Sequence, residues 1–230
     1  MPSVRPPSKP RPQPRPPTSE QMALIVEAAW QSSAEWGLYV WLSAVLGARR
    51  GEVVALQWED LDLDAGMVRL DENYVRAADG MLLKDAKTHQ MRRVSIDAPT
   101  VELLRQHRED CAGRLRLLDV PLTDRTWVFS ATPDMSQPRD PASLTRRYGR
   151  LKAKLGIDTV LKELRHYSAT ELFTAGVDLR TVAGRLGHGD GTTTLRHYAA
   201  WVGSADEAAA STIGGRMPTL RPVDRRSGSG

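Results

Sequence analysis

Cysteine occurs once in 230 residues, at Cys111, and that single thiol excludes a disulfide framework and leaves any cysteine-based zinc site without its usual partners. The usage suits a reducing interior. Runs of about 18 apolar residues, the length of a membrane span, are lacking, and the N-terminus lacks the apolar centre of a secretory signal. The expectation is a soluble cytoplasmic protein with no membrane partner. A large net charge is lacking as well: 32 basic residues face 28 acidic ones. Whole-chain charge therefore does not argue for a polyanion partner, and any such argument has to be local. The acidic run Asp60, Asp62 and Asp64 alternates through a turn without a histidine partner or a glutamate at calcium-loop spacing, so these residues are expected to cap or solvate the turn, with no metal and no cofactor.

The charge that is present is unevenly placed. Residues 1–18 carry four basic side chains and no acid, and residues 211–230 carry a net +3, which leaves the body at −3. Within that body, residues 145–196 hold ten Lys or Arg against five Asp or Glu, the footprint expected where one face of a nearly neutral domain meets phosphates. Eight prolines in the first eighteen residues forbid sustained helix or sheet there. The organisation expected is a basic proline-rich arm or linker over 1–18, a folded domain over 19–210 and a flexible basic tail over 211–230.

Periodicity predicts helices in SEQMALIVEAAW, starting at Thr18 or Ser19, and in the more buried EWGLYVWLSAVLG, with a short helix in RGEVVALQW. Alternation in MVRLDENYVRA, MLLKDAK and RRVSI predicts a small antiparallel sheet of three strands. Helical periodicity returns in VELLRQHREDCAGRLRLL, and WVFSA reads as a brief extended piece. Further helices are expected in SLTRRYGRLKAKLG, ELRHYSATELFTAG and LRTVAGRLG. The fold class is mainly α with a small antiparallel β-sheet.

Several residues suit phosphoryl transfer. Guanidinium groups satisfy the charge that develops on non-bridging oxygens with fixed donors that stay protonated. Arg49, with Arg50 as its immediate competitor, sits at a bend between helices whose backbone N–H groups also suit an anion, and Glu52 lies three residues on, placed to orient Arg49 or a second basic group. Lys162, Arg165 and His166 cluster on neighbouring sides of one helix. His188 stands at a glycine-rich turn, where an imidazole can donate or move a proton. Tyr167 and Tyr198 each follow Leu-Arg-His; Tyr198 comes after a Gly-Thr turn, whereas Tyr167 lies within a longer apolar-periodic helix. Taken alone, these segments read more readily as a surface ion pair, a basic helix face, a capping histidine and rim packing.

Occurring in order, GARRGE, the lysine of AKTHQMRRVSI, LKELRHY, LGH and the final RHY resemble the catalytic boxes of the tyrosine recombinase, or phage integrase, family over roughly residues 19–205. The resemblance implies the integrase-like catalytic domain fold and a site of Arg49, Lys87, Lys162, Arg165, His188 and Tyr198, with Glu52 as acidic partner. Tyr198 would attack one DNA strand to give a 3′-phosphotyrosyl link and a 5′-hydroxyl. That link conserves the phosphodiester energy, so no nucleotide cofactor is needed. Arg49 and Arg165 would hold the non-bridging oxygens, His188 and Lys162 would add donors, and Lys87 would protonate the departing oxygen. Lys162 departs from the pattern, since relatives commonly carry histidine there. Arg146, Arg147, Arg150, Lys152 and Lys154 lie just before this box and are candidates for contacts to phosphates and base edges.

The resemblance also implies partners: double-stranded DNA, four protomers assembling on two duplexes with Ala199 to Ala210 as the docking segment, and a separate clamp-domain chain, because relatives place a helical core-binding domain ahead of the catalytic one. A non-catalytic DNA-binding remnant of a truncated integrase and a type IB topoisomerase are the alternatives.

Overall fold

The computed structural model describes residues 14–77, 80–85 and 91–187. Helices α1 (Ser19–Ser32), α2 (Ala34–Val45) and α3 (Arg50–Val54) come first. Five strands follow, β1 (Leu61–Asp62), β2 (Met67–Leu70), β3 (Glu72–Ala77), β4 (Gly80–Asp85) and β5 (Arg92–Ser95), and then α4 (Ala98–Arg116), α5 (Pro141–Leu155), α6 (Glu163–Thr174) and α7 (Leu179–Leu186).

Short polar residues mark the helix starts. The Thr18 hydroxyl accepts from the Gln21 N–H at 3.2 Å, and the Gln21 side chain accepts from the Thr18 N–H at 3.0 Å, closing a capping box. Ser33 ends α1 by donating its N–H to Ala29 and starts α2 by accepting from the Trp36 N–H. Asp97, Asp140 and Asp178 cap α4, α5 and α7 in the same way, and Pro141 fills the first position of α5, where no backbone donor is required.

Helix α2 is apolar on nearly every side, and it runs through the core against α1, α4 and α6. Leu38, Val40, Leu42 and Leu46 are fully buried. Each contributes roughly 1.5–3 kcal/mol by leaving water. Trp36 stacks on Tyr39 with centroids 5.5 Å apart, and Phe129 meets Tyr39 edge-on at 5.4 Å.

Two expectations change. The helix beginning at Arg50 stops at Val54, short of Trp58; the chain instead makes a 3₁₀ turn over Trp58–Asp60, which the Asp60 carboxylate closes by accepting from the Gln57 N–H at 2.9 Å. The single sheet of three strands is two sheets. β1, β2 and β5 form an antiparallel three-stranded sheet with Val68 opposite Val94, and β3 and β4 form a separate hairpin with Glu72 opposite Asp85. The run MVRLDENYVRA breaks at Asp71, whose carboxylate pairs with the Arg69 guanidinium at 3.1 Å. The aspartates of the turn find partners: Asp60 also binds Arg69, Asp62 accepts from the Ala65 N–H, and the exposed Asp64 pairs with Arg105 of α4. No helix among the described residues is long and apolar enough to cross a membrane.

Candidate active site

The junction after α2 turns on Gly47, with φ +56, a conformation L side chains avoid. A Cβ there would also lie 2.7 Å from Leu186 Cδ2 of α7 and 3.1 Å from the Ser168 hydroxyl of α6. The bare backbone lets α2, α6 and α7 converge. The Gly47 carbonyl accepts from Arg165 Nη1 at 2.7 Å, so α6 delivers its arginine to the same corner from which Arg49 emerges.

Arg49 is the cap residue of α3. Its Nη1 donates to Glu52 Oε1 at 2.6 Å, and its backbone N–H donates to Oε2 at 2.8 Å. That N–H is therefore occupied by Glu52, in place of the anion-binding role anticipated for it. Glu52 is buried, with 2 % of its side chain exposed. Burial pushes its carboxyl pKa up, but hydrogen bonds and charge from Arg92, the Arg49 N–H and the Arg49 charge outweigh burial and hold it below the ordinary carboxylate range.

Arg49, Arg50, Lys162 and Arg165 line one cleft of about 430 Å³, together with Thr145 and Val160. No carboxylate is among its described lining residues, so the cleft offers cations and little to repel an anion. Arg50 reaches across it to the Thr145 hydroxyl at 2.7 Å, whereas Arg49 alone of the two adjacent arginines is held by Glu52. Lys162 precedes α6 as its cap residue, exposed, and lies 3.9 Å from Glu163. Tyr167 lies in α6, packed against the core; burial raises its pKa, only partly offset by the Ser19 hydroxyl, which makes it a poorer nucleophile. Lys87, His188 and Tyr198 lie outside the described residues.

The basic residues of α5 divide. Arg147 stacks over Trp36 at 4.7 Å and donates to the hydroxyls of Ser32 and Ser33 at 2.9 and 3.2 Å, and burial lowers its pKa. Lys152 pairs with Asp158 at 3.6 Å. Arg146, Arg150 and Lys154 are exposed at four-residue spacing, which sets them along one side of the helix.

Arg92 has no counterpart in the sequence reading. It leaves β5 with 6 % of its side chain exposed and meets both Glu52 oxygens, Nη2 to Oε2 at 2.8 Å and Nη1 to Oε1 at 3.3 Å. A carboxylate so deeply buried requires donors beyond one i,i+3 partner. That requirement was readable from Glu52, but nothing in the spacing names a residue forty positions on.

Residues 18–202 match the Phage integrase family. The chain is 27% identical over 164 residues to the tyrosine recombinase XerC-like protein of Caldanaerobacter subterraneus subsp. tengcongensis, covering 66% of this chain and 42% of that protein. It is 27% identical over 191 residues to the tyrosine recombinase XerA of Thermococcus kodakarensis, covering 83% and 60%. Among solved structures, the Tn1549 transposon integrase in complex with transposon right end DNA superposes with a TM-score of 0.69 at 18% identity, over 82% of this chain and 62% of that one. The XerA recombinase gives 0.61 at 23% identity, over 92% and 68%. Those likenesses show a shared fold. The chain spans about half the length of the curated relatives it matches.

Proposed function

Because the chain belongs to the phage integrase family, we propose that it is the catalytic domain of a tyrosine-type site-specific DNA recombinase, cleaving and rejoining duplex DNA through a 3′-phosphotyrosyl intermediate. The observation that carries this reading is the delivery of Arg49 and Arg165, from α3 and α6, to one cleft with no carboxylate among its described lining residues. Two fixed guanidinium groups facing one anion are what a pentavalent phosphorus needs as charge grows on its oxygens. Each preorganised donor is worth about 2.7–4 kcal/mol of barrier.

In this reading the Tyr198 hydroxyl forms a bond to phosphorus as the bond to the 5′-oxygen breaks. The phenolic proton leaves to solvent, His188 adds a donor to the phosphate, and the departing oxygen takes a proton from the Lys87 ammonium. Lys162 adds a donor at the cleft rim, and Glu52 fixes Arg49. Arg146, Arg150 and Lys154 supply phosphate or base contacts from α5, with Arg147 and Lys152 supporting them. Partners are double-stranded DNA and further copies of the chain assembling as a tetramer on it.

The test uses a duplex pool of randomised sequence, each member nicked so that the cleaved end diffuses away and the adduct accumulates. A covalent protein–DNA species in the wild type, lost in Tyr198→Phe, is expected. An adduct that persists in that variant sinks the nucleophile assignment. A second reading, DNA binding without cleavage, is favoured by Lys162, exposed at a position where the family pattern commonly has histidine; retention of duplex with no adduct would favour it.

A further inference from the structure

Three elements, α3, β5 and the last turn of α7, meet at one buried side chain. From β5, Arg92 grips Glu52 with both terminal nitrogens, and its Nε donates to the Arg185 carbonyl at 2.7 Å in the last turn of α7. That turn ends at Gly187, with φ +69, where a Cβ would lie 2.7 Å from Arg92 Nη1. We propose that Arg92 is a positioning residue for strand cleavage, holding Glu52, and through it Arg49, in register with the end of α7 from which His188 follows.

The inference rests on the recombinase reading and adds a dependency to it. Arg49 is about one-third exposed, and an i,i+3 pair at that exposure does little to fix a guanidinium unless its carboxylate is itself immobile and charged. Arg92 supplies both conditions. The charged groups facing Glu52 are Arg49 from α3 and Arg92 from β5, with Arg185 of α7 next beyond Arg92. Take Arg92 away, and burial of Glu52 is opposed from α3 alone. The carboxyl then takes up a proton nearer neutral pH, and its protonated form no longer anchors Arg49 through two charged acceptors.

The experiment measures adduct formation by the full 230-residue chain on the nicked randomised pool between pH 6 and 9. The wild type should vary little across the range on account of Glu52. Arg92→Gln should form adduct about 100-fold more slowly at pH 7, the scale of losing one preorganised donor. Its rate should climb with pH, at up to about tenfold per unit while Glu52 remains mostly protonated. Arg92→Lys, which keeps the charge beside Glu52 but has no fork to span Glu52 and the Arg185 carbonyl, should recover the flat profile at a reduced rate. If the glutamine variant does not fold, Gly187→Ala, whose methyl would displace the Arg92 guanidinium, carries the pH test in its place. Wild-type rates in the variants, or a uniform loss with the wild-type profile in both, would overturn the inference and leave the recombinase reading standing. A wild type that forms no adduct overturns the parent reading, and this one with it.

Discussion

Replacing Glu52 by glutamine should destabilise the fold by about 3–5 kcal/mol at neutral pH, the usual cost of leaving one partner of a buried ion pair uncompensated. The size follows from what the carboxylate does. Its two oxygens accept from the Arg49 N–H, from Arg49 Nη1 and from both terminal nitrogens of Arg92, and the Arg92 side chain is only 6 % exposed. Glutamine keeps one acceptor oxygen and turns an NH₂ toward a guanidinium, so Arg92 stays charged and buried beside a donor. The loss depends on pH in a defined direction. The folded-state pKa of Glu52 is depressed, so its contribution is fully present above the ordinary value of 4.5 and is withdrawn as pH falls through the lower folded value. The gap between wild type and variant should therefore be widest near pH 7 and narrow on acidification. Urea unfolding followed by tryptophan fluorescence reads it as a midpoint shift of about 1–2 M for a slope near 2.5 kcal/mol/M. A difference below about 1 kcal/mol at pH 7, or one that stays constant down to pH 3, would refute the reasoning, since the first would mean a cheap desolvation of Arg92 and the second a cause unconnected with charge.

Gly187→Ala should cost about 1–2 kcal/mol from the left-handed backbone alone, and more where the new methyl displaces the Arg92 guanidinium; unchanged thermal stability would contradict the packing described. Arg147→Ala should lower stability by about 1–2 kcal/mol through loss of the Trp36 stack and two hydroxyl bonds, while Arg150→Ala should leave stability within about 0.5 kcal/mol. In DNA titrations over a salt series, Arg150→Ala should weaken binding and reduce the salt slope by about one; the reverse assignment of the two effects would overturn the division of α5. Lys87→Ala should suppress cleavage of ordinary DNA and spare a strand whose 5′ leaving oxygen is replaced by sulfur, because sulfur needs little protonation to depart; equal losses on both would make Lys87 a phosphate contact only.

Much of the helical framework was legible because its signals are local. Thr18 announces the first helix within a few residues, apolar periodicity announces the later ones, and the unbroken apolarity of α2 announces its burial; the caps Ser33, Asp97, Asp140 and Asp178 come from the structure. The end of α3 and the division of the sheet were not, because they depend on Asp60 and Asp71 being drawn to Arg69 across a turn. At the candidate site, the ordered boxes named Arg49, Glu52 and Arg165, and the cleft brings both arginines together. Arg92 escaped because its significance is tertiary: an arginine opening a short strand has no mark until Glu52 and the last turn of α7 are packed against it. Arg147 is the converse, a member of a basic run whose stack on Trp36 is invisible in the spacing of its own helix.

The 2.7 Å bond from Arg50 to Thr145 joins the residue next to Arg49 directly to α5, while Arg147 bolts that helix to the α1–α2 corner. On a duplex bound as proposed, such bracing would act as a ruler. Edges touched by the stripe of Arg146, Arg150 and Lys154 and the phosphate seated between Arg49 and Arg165 would be read at one fixed offset. One inserted base pair turns the helix by about 35° and moves the second contact out of phase with the first. Target choice would then be a matter of phasing, with the cut falling at a constant number of steps from the recognised bases whatever lies between.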